Sequence, residues 1–102
     1  MAVTFSIYKM VGPGAVRGYF IGRSIQEAVR WVIDNQEPGV HFRVRARDTL
    51  YDPSYGTVYG DEHVEIPAGA SRADVLEAIE RAAFFAMCNA DDNARRYRGV
   101  TT

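Results

Sequence analysis

Cysteine is nearly missing from this 102-residue chain, with Cys88 standing alone. No intramolecular disulfide and no cysteine-rich zinc site can be built from it, and such sparing use fits a reducing compartment. Lysine is equally scarce: Lys9 is the sole one among twelve basic residues, so the positive charge is almost entirely guanidinium. Neither sign is in excess. Twelve Lys and Arg against thirteen Asp and Glu leave a formal net charge of -1, which argues against a generic polyanion binder and equally against a heavily acidic mimic of nucleic acid. The chain also lacks the run of roughly 18 apolar residues that a membrane span needs. Its first ten residues, MAVTFSIYKM, alternate in character and do not place a basic segment before an apolar one, so no signal peptide and no membrane partner are expected, and the expected location is cytoplasmic. There is no internal repeat, linker or low-complexity run.

What is present suits one ordinary folded unit. At 47% hydrophobic and 25% charged residues, residues 1–102 form a single globular domain able to bury a core without covalent staples. Val3, Phe5 and Ile7 alternate with Thr4, Ser6 and Tyr8, the period of a half-buried strand. The turn VGPG then leads to a second strand over 15–22, with Val16 and Phe20 expected on one face and Arg17 and Tyr19 on the other. Ser24 followed by Glu27 is a capping box that starts a helix. Ile25, Ala28, Val29, Val32 and Ile33 fall on one stripe of it, Trp31 lies at the flank, and NQEPG stops it. A second helix is expected after Ser71, capped by that serine with Asp74 three residues on. Its core stripe is read as Val75, Leu76, Ala78, Ile79, Ala82, Ala83, Ala86 and Met87, with 94–102 a frayed tail. The order ββαββα gives an α+β domain in which two helices cover one face of a mainly antiparallel four-stranded sheet.

Between the helices lies VHFRVRARD, residues 40–48, which sets His41, Arg43, Arg45 and Arg47 on one strand face and Val40, Phe42, Val44 and Ala46 on the other. The following strand, TVYGDEHVEIP, alternates Tyr59, Asp61, His63 and Glu65 against Val58, Val64 and Ile66. A hairpin centred near Pro53 pairs residues whose numbers sum to about 106, which puts Arg45 opposite Asp61, His41 opposite Glu65, Arg43 opposite His63 and Arg47 opposite Tyr59. The arginine row is then a solvent face neutralised by its own neighbour.

Motifs of catalysis and cofactor binding are scarce. GPGAVRG at 12–18 joins two strands, whereas glycine-rich phosphate loops join a strand to a helix. Asp61, His63 and Glu65, with His41 across the hairpin, are the best metal constellation available, but the facing arginines compete for the same carboxylates. Cys88, beside Phe84, Phe85 and Met87, reads as a small buried apolar residue. No cofactor or metal is expected, and a metal-dependent or thiol enzyme ranks third among the function classes.

The remaining aromatics suit contact with another protein. Tyr51, Tyr55 and Tyr59 recur every four residues across the hairpin connection, Trp31 sits at a helix flank, and Phe84 and Phe85 fall on the polar side of the second helix. Large, rigid side chains of this kind dominate interface energetics. The alternative is a nucleic-acid-binding module using Arg43, Arg45 and Arg47 with Tyr8 and Tyr19 as stacking platforms; Asp61 and Glu65 on the same face would repel phosphate. The stretch GYFIGRSIQEAVRWVID is similar to the hairpin-then-helix opening of HicB-type antitoxins, which pass from a glycine through a Ser or Thr cap into a Glu-Ala helix. The leading expectation is a small non-enzymatic binding protein, an inhibitor or regulator whose partner is another protein or a second copy of itself. Phage and mobile-element anti-defence proteins, anti-CRISPR proteins among them, provide one class of that kind; the resemblance implies an antitoxin-like regulator as another.

Overall fold

Alternation dictates the first strand, and the computed structural model, which describes residues 2–53 and 56–101 with side chains through Arg96, buries Phe5 and Ile7 as that alternation requires. The chain runs β1 (Ala2–Val11), β2 (Ala15–Gly22), α1 (Ile25–Asp34), β3 (Val40–Asp52), β4 (Gly56–Ile66) and α2 (Arg72–Thr101). The strands form one antiparallel sheet in the order β2-β1-β3-β4. The ββαββα order and the α+β class are those expected from the sequence. Phe5, Ile7, Phe42, Val44 and Ala46 lie on the sheet face that meets Ala28, Val29 and Val32 of α1 and Val75, Ile79 and Ala82 of α2. Each fully buried Phe or Ile contributes about 1.5–3 kcal/mol relative to exposure.

Both helices begin on serines. The Ser24 hydroxyl accepts the Glu27 amide at 3.2 Å, and the Ser71 hydroxyl accepts the Asp74 amide at 3.2 Å. Past α1, Gly39 takes φ 77°, a left-handed conformation that releases the chain into β3. In α2 the core stripe consists of Val75, Ala78, Ile79, Ala82, Ala83, Ala86, Ala90 and Ala94. Leu76, expected on that stripe, is exposed, and Met87 is half-buried: the stripe is narrow because alanines let the helix lie close to the strands. The closest approach is at Gly60 of β4, where a Cβ would fall on the backbone of Ala86 and Ala90. Asn89 and Asn93 straddle that contact and donate to the Asp61 and Tyr59 carbonyls at 2.7 and 2.8 Å. Segment 94–102, expected as a frayed tail, is helical through Thr101, with Ala94 buried.

Two registers differ from expectation. The β3–β4 hairpin pairs Arg43 with Glu65, Arg45 with His63, Arg47 with Asp61 and Thr49 with Tyr59, one two-residue step from the predicted pairing. A two-residue shift preserves every side chain's face, so burial alone does not choose between the two registers. In the β1–β2 hairpin the register slips between Lys9 and Met10, and Val16 pairs with Met10. The bulge carries Val16 away from Phe20's face, and it is 54% exposed. Beyond β1, which ends its pairing at Ala2 with Thr49, the tip of the β3–β4 hairpin continues alone as far as Asp52 and Gly56.

Candidate functional site

The helix-free face of the sheet is a block of cross-strand rows. One runs Tyr19, Tyr8, Arg43, Glu65; the next runs Ile21, Ser6, Arg45, His63; a third runs Thr4, Arg47, Asp61. Arg47 grips Asp61 with two donors, Nε to Oδ1 at 2.7 Å and Nη2 to Oδ2 at 3.3 Å. Arg45 Nη2 reaches the same Oδ1 at 3.3 Å, Arg43 Nε donates to Glu65 at 2.8 Å, and His41 Nε2 stands 3.8 Å from Glu65. The Arg47 guanidinium also lies 5.0 Å from the centre of the Tyr59 ring. The hydrogen bond from Arg47, then the charges of Arg47 and Arg45, hold the Asp61 carboxyl below the usual range against the opposing effect of burial, and Asp61 in return raises Arg47. Two carboxylates thus engage all three arginines of the row. Thr4, Ser6, Arg45 and Arg47 border a depression of about 230 Å³ on this face.

Aromatics expected to contact another protein are divided among three places. Phe84 and Phe85 are 60% and 43% exposed on α2, their rings 5.6 Å apart and edge-on. Phe84 joins Leu50, Met87, Cys88 and Asp91 around an apolar groove of about 290 Å³ between α2 and β3. Cys88, expected to be buried, is exposed there, because it falls off the alanine stripe. Tyr51 (74% exposed) and Tyr59 (49%) stand on the helix-free side of the hairpin, away from that groove; Tyr55 lies outside the described residues. Trp31 closes the core instead of standing free, its ring 6.0 Å from Phe20 and 5.9 Å from Phe42. Tyr8 is half-buried in the sheet and Tyr19 is exposed on β2.

Several residues of these surfaces were not expected there from the sequence. Leu50 and Met87 complete the groove, and Val16 and Ile21 are exposed on β2. Asp48 is fully buried on the core face, paired across the strands with Val3 and Gly60, and neither carboxylate oxygen has a hydrogen-bond partner. Its place in the core-facing half of the alternation, after Val44 and Ala46, was the available signal. Lys9, nearly buried on the same face, escapes through its tip: it meets Glu37 at 3.1 Å, as does Arg17, and the Lys9 hydrogen bond leads in lowering the Glu37 carboxyl.

Among the described residues no three His, Cys, Asp or Glu side chains are grouped to hold a metal, and no helix is long and apolar enough to cross a membrane. Comparison with known protein families, curated proteins and solved structures finds no match to this chain.

Proposed function

We propose that the chain is a non-enzymatic protein-binding module, acting in the cytoplasm as an inhibitor or regulator, whether as an anti-defence protein of a phage or mobile element or in the manner of an antitoxin. One observation carries the reading: the apolar groove flanked by the exposed Phe84, on a helix side that a surface helix ordinarily keeps polar. Covering what remains exposed of Phe84 and Phe85, 60% and 43%, would release roughly 1.5–3 kcal/mol, the scale of one hot spot. The competing nucleic-acid reading relies on arginines already engaged by Asp61 and Glu65, which lowers the charge available to phosphate.

The test is affinity capture from the native host with wild-type protein and with a Phe84→Glu/Phe85→Glu variant that keeps its far-ultraviolet circular dichroism. The expected result is a protein retained in stoichiometric amount by the wild type and lost by the variant. Equal capture by both would move the interface elsewhere, and a nuclease-sensitive capture lost instead on replacing Arg43, Arg45 and Arg47 by alanine would favour nucleic acid.

A further inference from the structure

The two edges of the sheet are treated differently. On β4 the outward carbonyls of Tyr59 and Asp61 are occupied by the amides of Asn93 and Asn89, and α2 packs directly on Gly60 between them. On β2 nothing comparable occurs among the described residues. Val16, Tyr19 and Ile21 are 54%, 64% and 63% exposed along it. Natural edges are ordinarily guarded by lysines, prolines or inward-pointing charges. The one charged residue within β2, Arg17, sits at the bulge and is neutralised by Glu37 at 3.1 Å. The segment Gly18–Gly22 beyond the bulge is regular, uncharged and unguarded.

We infer that this edge pairs antiparallel with the same edge of a second copy, so that two sheets join into one across a two-fold axis near Phe20. Antiparallel pairing of a strand with itself is self-complementary by symmetry. About that axis Tyr19 of each copy faces Ile21 of the other on the helix-free side, two aromatic-aliphatic cross-strand pairs of the kind that stabilise sheets. Charge selects a second copy over an unrelated strand. Glu27, Trp31 and Asp34 share one flank of α1, and the contact of Trp31 with Phe20 sets that flank above β2. Among the described residues the carboxylates of Glu27 and Asp34 form no ion pair in one copy, and neither does Arg23, exposed just past the end of β2. Because Glu37 reaches Arg17, α1 ends over the start of β2. The two-fold sets Arg23 of each copy across from Arg17 of the other, whose charge Glu37 already balances, so the carboxylate left for Arg23 at that end is the other's Asp34.

Sedimentation equilibrium of the full chain should give twice the 11.4 kDa chain mass at high concentration and a reversible shift to the monomer on dilution. Amide exchange measured on the wild type should show protection across Gly18–Gly22 that rises with protein concentration. Ile21→Lys, at an exposed position, should weaken association by about 100-fold while the circular dichroism holds and the melting temperature at monomer-only dilution is unchanged. Arg23→Glu should also weaken it, and adding Asp34→Arg should restore much of the loss. A wild-type chain that stays monomeric up to about 1 mM overturns the inference. A dimer that survives Ile21→Lys overturns it too, as does one that Phe84→Glu abolishes.

Discussion

Replacing Asp48 by alanine should make the protein more stable, the reverse of what substitution at a fully buried position ordinarily does. The carboxylate lies in the core-facing row between Val3 and Gly60, wholly out of solvent, with both oxygens lacking a hydrogen-bond partner. Each unsatisfied buried acceptor costs about 1–3 kcal/mol, and a charged group more. Truncation to alanine removes both oxygens. It leaves a cavity of at most a few tens of Å³, whose cost is at most about 1 kcal/mol. The difference is a net gain of about 1–3 kcal/mol, or very roughly 5–20 °C in Tm for a domain of this size. Asp48→Asn keeps the shape but still buries an unsatisfied amide, so its gain should be smaller. Urea titration separates the effect from a change in the unfolded state: the midpoint should rise while the slope stays constant. A loss of more than about 1 kcal/mol in Asp48→Ala would refute the reasoning, because it would mean that the carboxylate is well satisfied in solution.

Gly60→Ala should cost about 3 kcal/mol, seen as a lower urea midpoint, since its methyl group would land on the Ala86 and Ala90 backbone and force α2 off β4; an unchanged midpoint would show that the helix is free to shift. Because Asp61 titrates below its ordinary value in the folded chain, its ion pairs add stability that is fully present above the unfolded carboxylate value and is lost as pH falls through the folded one. Asp61→Asn should therefore flatten the acid limb of a stability-versus-pH curve, and an acid limb identical to wild type would contradict the assignment. The same change with Glu65→Gln frees three arginines, so salt-sensitive binding to single-stranded DNA should appear in the double variant and not in the wild type, as measured by fluorescence anisotropy. Exposed Cys88 should react with a thiol reagent to one equivalent per chain without denaturant, and a thiol silent until unfolding would place it in the core.

The elements were legible because local rules produce them. Two serine caps, one alternating strand after another and a Pro-Gly stop fix where helices and strands begin, and the hydrogen bonds at Ser24 and Ser71 are those the spacing called for. Pairings were less legible. Moving β3 against β4 by two residues leaves Phe42, Val44 and Val58 facing the core, so alternation could not choose the register that joins Arg47 to Asp61. The outcome for the arginine row survived the error, since Arg45 still reaches Asp61 and His41 still approaches Glu65 along the diagonals. The exposure of Val16 and Ile21 depends on a bulge and on β2 being outermost, and strand order is a tertiary fact with no local signature. Leu76 and Met87 read as inward because apolar character outweighs the narrow angle that an alanine stripe covers, and Cys88, although it falls off that stripe with Phe84 and Phe85, reads as buried only from its apolar neighbours.

Asn89 and Asn93 have a consequence that reaches past their own two hydrogen bonds. By occupying two neighbouring carbonyls in the middle of the outer strand, they leave that edge without a continuous row to pair, which gives the sheet a valence of one. Whatever strand adds to the open side, the composite cannot recruit another through the side that α2 has closed. Growth of the kind that turns bare strands into fibres requires a molecule with two sticky ends. This one terminates a sheet wherever it joins one, and replacing both asparagines by alanine would be the change that turns a stopper into a link.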